Sequence, residues 1–286
     1  MDLMFYLDPI YFYLKTTLYF FIYFLFTNKK QEFITDKEFI TDKEFITDKE
    51  FITDKEFITG GQYLIPKSLY MCCKDKSILP SYVITNWTLL NPDYTIDIFD
   101  NLDCINFLKK AYGNKHVDIF NFIKDGPIKA DFWRLCILNY YGGIYSDIDI
   151  EPIASLDTIL NKYTSFLTVK RSMDYMFNPH FIASVKNNII LQLIIDKYIS
   201  YYDNNVDYRY WRWSILNVGQ AILNESIGYI IKEGFYKYSG GYCKIITENI
   251  SFKDLLFNRY KAYNSYNNKN LFNTRYLTYN EYLHTY

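Results

Sequence analysis

The chain has 286 residues, with 31 Lys and Arg against 32 Asp and Glu, for a formal net charge of -1. No basic block runs along it, which argues against a nucleic acid as principal partner. The five cysteines, Cys72, Cys73, Cys104, Cys136 and Cys243, include no C-x-x-C spacing and are odd in number, which argues against a zinc site or a disulfide framework.

The N-terminus stands apart from the rest. Ile10 to Phe26 is 17 residues with a single charge, Lys15, at the lower limit of the roughly 17–25 apolar residues that span a bilayer. Residues 1–28 are therefore expected to form a hydrophobic helix that anchors the chain to a membrane, a core helix or a leader being the alternative. Lys29-Lys30 on its far side would favour a cytosolic C-terminus. Residues 29–61 follow as a spacer, because Glu32 to Thr59 is four full copies of the hexad EFITDK and a fifth broken off. At 100° per residue the hexad spreads its Phe-Ile pairs around three sides of a helix, and on a strand it gives each face one apolar residue in three. Neither arrangement builds a core, although a β-stacking segment is the other reading.

Residues 62–286 are expected to be one folded domain. Tyr63–Cys73 reads as a strand interrupted early by Pro66, Leu79–Tyr94 as a helix ended at Asn91-Pro92, and Tyr94–Asp100 as a second strand. Asn101–Gly113 repeats the helical period and stops at its glycine. Strand, helix, strand, helix in this order predicts an α/β sheet with ligands at the carboxyl ends of its strands.

The helix bounded by Pro127 and Gly142 is apolar nearly all round, which marks it as buried. Asp131 and Arg134 nevertheless sit in its middle at i, i+3, on one face. They are either a buried ion pair that holds the helix in place or two polar heads that emerge at a cavity. After Gly142-Gly143 the chain reads as an extended run from Ile144 to Ile150. Ile144, Ser146, Ile148 and Ile150 then share one face, and Tyr145, Asp147, Asp149 and Glu151 the other. Asp147 and Asp149 would lie roughly 6.5–7 Å apart at the backbone. Oxygen ligands in such a pair suit a hard divalent cation, Mn²⁺ or Mg²⁺, whose shell substrate phosphates complete.

Ile65–Lys67 (IPK), Trp87, Asn91–Tyr94 (NPDY), Phe99-Asp100, Lys129–Arg134 (KADFWR) and Gly142–Asp149 (GGIYSDID) together resemble the DXD-containing glycosyltransferases of family 32. That group holds the yeast-type initiating mannosyltransferases and the capsular sugar transferases. The likeness spans about residues 62–195, and the weight of Tyr, Ile and Asn makes the chain similar to glycosyltransferases of giant DNA viruses of the mimivirus type. The resemblance implies a GT-A-type nucleotide-sugar transferase fold with a mixed, mainly parallel central sheet. It implies a UDP- or GDP-linked sugar donor, a glycan or glycoprotein acceptor, and retention at the anomeric centre. It further implies that Asp149 ligates Mn²⁺ or Mg²⁺ directly and that Asp147 binds both metal and substrate. Asp131 would take sugar hydroxyls, Arg134 would contact the sugar or the diphosphate, and Asn178 would stand on the sugar side. With a viral origin, the anchored chain would lie at a host endomembrane or a virus factory. Two other readings compete: an inactive transferase fold kept as a glycan-binding scaffold, and a haloacid-dehalogenase-type phosphotransferase, whose site a strand followed by D-x-D also opens.

Overall fold

Pro66 has no N–H to give to a sheet ladder, and β1 begins beyond it, at Ser68–Cys72. The computed structural model describes residues 64–171, 177–227, 233–250 and 262–274. The expected anchor (1–28) and hexad spacer (29–61) lie outside the described residues. Among the described residues, no helix is long and apolar enough to cross a membrane.

After β1 come helix α1 (Ser81–Leu90) and strand β2 (Thr95–Phe99), with the helix stopping at Asn91 before Pro92. Asp100 opens α2 (Asn101–Tyr112) with a capping box, accepting from the Leu102 and Asp103 amides while Asp103 reaches back to its own. Gly113, at φ +85°, closes it and leads into α3 (Asn114–Phe122). Asp125 caps α4 (Gly126–Tyr141), Pro127 lies in its first turn, and Gly142 ends it. Strands β3 (Gly143–Ser146) and β4 (Ile150–Pro152), the short helix α5 (Leu156–Ile159), and strands β5 (Thr164–Arg171) and β6 (Phe177–Ser184) follow. Helices α6 (Ile189–Asp203) and α7 (Trp211–Ile227) and strands β7 (Gly234–Tyr238), β8 (Gly241–Ile250), β9 (Ala262–Tyr266) and β10 (Lys269–Thr274) complete the order.

The strands join in one sheet of order β2-β1-β3-β6-β5-β8-β9-β10-β4, with β7 against β8. The sheet is mixed, as expected, but it is not mainly parallel. Among the described residues, three pairings are parallel, β1 with β2, β1 with β3 and β5 with β8, and six are antiparallel. The reason is connection length. A parallel neighbour needs a crossover, which the helices supply between β1 and β2, between β2 and β3 and between β5 and β8, whereas the second half of the chain is rich in short returns.

Alternation along the strands divides the apolar residues between the two faces of the sheet. Leu69, Met71, Ile144, Leu167 and Phe181 join Val83 and Trp87 of α1 on one side. Tyr70, Cys72, Tyr145, Phe166 and Ile182 meet α2, α3, α4, α6 and α7 on the other. Each large apolar side chain buried there contributes roughly 1.5–3 kcal/mol, so both faces resist a slip in register. The register leaves the carboxyl ends of β1, β2, β3, β5 and β8 on one edge, together with the amino ends of β6 and β9.

Candidate active site

The Gly142-Gly143 pair sets the site's first strand against β1. Both residues have positive φ, +70° and +108°, and a Cβ on Gly143 would stand 2.7 Å from the Ser68 carbonyl oxygen. Glycine alone permits both the turn and the approach. β3 then runs only to Ser146, so the expected unbroken strand from Ile144 to Ile150 needs correction. A turn at residues 148–149 interrupts it, with the Ile150 amide donating to the Asp147 carbonyl at 3.2 Å. The chain must leave β1 and β6 here to reach β10, the partner of β4. The expected sidedness survives the turn. Ile144, Ile148 and Ile150 are buried in one core and Tyr145 in the other, while Asp147 and Asp149 are partly exposed at the carboxyl edge.

Arg134 ties the edge together from α4. Its Nη2 lies 3.2 Å from Asp131 Oδ1 and 3.0 Å from Asp147 Oδ1. Nη1 donates to the Pro179 carbonyl at 2.6 Å, and Nε to the Ala130 carbonyl at 3.2 Å. The guanidinium also lies over the Tyr145 ring, 4.3 Å from its centroid, and the residue is 3% exposed. Burial opposes its charge, yet Asp147, Tyr145 and Asp131 hold its pKa well above the ordinary value. Asp131 and Arg134 are thus a buried pair, as one reading expects, and the pair extends to the D-x-D carboxylate. Tyr145 OH donates to Asp147 Oδ1 at 2.7 Å and lies 3.6 Å from Cys72 Sγ.

Asp149 is governed by its surroundings. Burial, then Asp147 and more weakly Glu248, push its pKa up to about 7, while its own backbone amide and Arg134 pull the other way. A divalent cation would oppose this shift, since it favours both carboxylates in their charged form. The donor set fits such an ion, because Asp147 and Asp149 offer oxygen ligands on a partly open turn and the remaining positions suit phosphate oxygens. Among the described residues, no group of three or more His, Cys, Asp or Glu side chains forms a ready-made cage.

A cavity of about 220 Å³ lies at the end of β1 and the first turns of α2 and α4. Lys74, Lys124 and Lys129 line it together with Cys72, Asn101 and Ala130. Burial and the neighbouring Lys124 lower the pKa of Lys129.

Asn178 stands at the same edge on β6, one residue before the Pro179 that Arg134 grips, but its side chain turns to Glu248 on β8, with Nδ2 donating at 2.9 Å. Glu248 and its neighbour His180 have no motif to announce them. Glu248 lies in a strand of mixed apolar and polar residues, and His180 is one of three scattered histidines. Tyr145 did carry a signal, since alternation puts it on the side of Asp147.

Residues 80–166 match the family model of the glycosyltransferase sugar-binding region containing the DXD motif. That is under a third of the chain, and it includes Asp131, Arg134, Asp147 and Asp149 but ends before Asn178. A relative from Acanthamoeba polyphaga mimivirus, "Uncharacterized glycosyltransferase L373", is 28% identical over 144 residues, covering 42% of this chain and 57% of the relative. The chain therefore matches little more than half of that protein's length. The solved structure of PaToxG Glycosyltransferase superposes with a TM-score of 0.44 at 18% identity, over 56% of this chain and 68% of that one.

Proposed function

Because the chain carries the DXD-containing sugar-binding region of glycosyltransferases over residues 80–166, we propose that it moves a sugar from a UDP- or GDP-linked donor to a glycan or protein acceptor, with retention at the anomeric centre. The observation that carries this reading is a short chain of contacts at one sheet edge: Cys72, in the wall of the lysine-lined cavity, lies 3.6 Å from the Tyr145 hydroxyl, which in turn donates to Asp147 of the D-x-D turn. Lysines suit a diphosphate, and a carboxylate pair suits the cation that accompanies it. In the architecture we read a GT-A-type fold.

Asp149 and Asp147 are the residues that would hold Mn²⁺ or Mg²⁺, which when bound offsets the charge developing on the departing diphosphate. Arg134 keeps the Asp147 carboxylate aimed at that position. Asp131, held by the same guanidinium, accepts hydrogen bonds from hydroxyls of the sugar. Lys74, Lys124 and Lys129 receive the nucleotide's phosphates. Residues 1–28 act in this reading as a membrane anchor and 29–61 as its spacer, which keeps the domain near membrane-bound acceptors.

Calorimetric titration of the full chain with UDP and with GDP, with and without Mn²⁺, tests the proposal. Coupling free energies between sites are typically 1–3 kcal/mol, so Mn²⁺ should tighten nucleotide binding about tenfold, and nucleotide should tighten Mn²⁺ binding by the same factor. Asp149→Asn should abolish the coupling and the transfer of sugar while the protein stays folded. Nucleotide affinity that ignores Mn²⁺, or a variant that keeps the coupling, would reduce the D-x-D to an acidic turn.

A further inference from the structure

Glu248 is 12% exposed at its side chain, yet among the described residues its carboxylate receives one hydrogen bond, from Asn178 Nδ2 at 2.9 Å to Oε2. Oε1 faces His180 Nδ1 at 4.0 Å, beyond hydrogen-bond reach. An ionised carboxylate can accept about four hydrogen bonds, and leaving a buried one short of donors is costly.

Its position says which donors are wanted. Glu248 pairs in register with Asn264 across β8 and β9, and with Arg171 across β5 and β8, so it sits at the carboxyl edge that carries the candidate site. Two short links of protein tie it to that site. Asn178, its donor, precedes the Pro179 whose carbonyl accepts from Arg134. His180, its neighbour, gives its backbone carbonyl to the Asp147 amide at 2.9 Å and sets its Nε2 3.1 Å from Asn264 Oδ1. In strand order the D-x-D turn, at the end of β3, thus lies between the lysine-lined cavity at the end of β1 and Glu248 on β8, with β6 and β5 intervening. A hydroxyl-rich group held at the D-x-D turn would bring this carboxylate the donors it lacks.

We propose that Glu248, oriented by Asn178, binds hydroxyl groups of the transferred sugar and is thereby a specificity-determining residue of the site. This rests on the donor reading above, and it goes beyond it by naming a carboxylate outside the matched segment. Asn178 then acts through Glu248 as a positioning residue.

The test compares UDP with UDP-glucose, UDP-galactose and UDP-N-acetylglucosamine, and GDP with GDP-mannose, by calorimetry on the full chain at saturating Mn²⁺. Glu248→Gln keeps the shape and removes the charge. Hydrogen bonds to charged groups are worth roughly 1.5–3 kcal/mol, so the variant should lose about tenfold or more of the affinity that the sugar adds over the bare nucleotide. Its affinity for UDP or GDP with Mn²⁺ should stay within about twofold of wild type. Asn178→Ala should weaken the sugar contribution in the same direction, because it frees Glu248 from its orientation. An unchanged ratio of sugar-nucleotide to nucleotide affinity in Glu248→Gln, or a wild type in which no sugar adds affinity, overturns the assignment. So does weaker binding of the bare nucleotide with Mn²⁺ in the variant, which would make Glu248 a metal ligand. A wild type that binds neither nucleotide overturns the donor reading itself, and Glu248's role falls with it.

Discussion

Asp149 loses stability by being charged. The folded carboxyl, pushed up from 3.8 to about 7 by burial and Asp147, keeps its proton to near neutrality, while an unfolded aspartate releases it near pH 4. Between those values the folded state binds more protons, so stability falls as pH rises through the window, and the full penalty stands above pH 7. In metal-free protein, Asp149→Asn should therefore be more stable than wild type at pH 8, by about 1–3 kcal/mol after allowance for its partial exposure, with the gain shrinking toward pH 4. Thermal melts in EDTA at pH 8 and pH 5 read this directly; a variant less stable at pH 8 would show that Arg134 outweighs Asp147. Arg134 presents the opposite case. Replacing it with Ala leaves buried Asp131 and partly exposed Asp147 without their shared partner, and urea unfolding should show a loss of about 3–5 kcal/mol. A loss under about 1 kcal/mol would place the cluster among solvent-screened surface pairs. Asp131 and Arg134 could be picked out of the sequence because charge inside an apolar helix is conspicuous. That one guanidinium would grip two carboxylates could not, since the second lies beyond the helix end.

Among the elements, the joint between α4 and β3 is the least forgiving. Gly143 combines positive φ with a carbonyl where its Cβ would be, while Gly113 has φ +85° and nothing within 4 Å. Gly143→Ala should cost about 2 kcal/mol or more, and Gly113→Ala closer to 1, because only the former adds a clash to the strain. Chemical denaturation of both variants separates the two contributions; equal losses would mean that β1 and β3 part without resistance. The boundaries of α1, α2 and α4 were readable in advance because each is marked by local chemistry, at Asn91-Pro92, Gly113, Pro127 and Gly142. The break after β3 was not. Nothing in Ser146-Asp147-Ile148-Asp149 states that the next strand's partner is β10, more than a hundred residues away, and it is that pairing which bends the chain.

Across the whole molecule, legibility follows separation along the chain. The helix pair Asp131–Arg134 and the alternation Tyr145, Asp147 concern neighbours, and residue spacing reports them. The share of antiparallel pairings, the approach of Glu248 and the contact of His180 with Asn264 are products of sheet order, which no short window contains. The sheet order also imposes a sequence of events in time. During synthesis, β1, β2 and β3 can pair as soon as β3 itself has emerged, and they fix the near side of the D-x-D turn. The far side waits for β4 to find β10, the last described strand, and Glu248 is seated only once β8 has docked on β5. Pairings of such long range close slowly. The two carboxylates of the turn therefore reach their final spacing only once β10 has been made and has paired with β4.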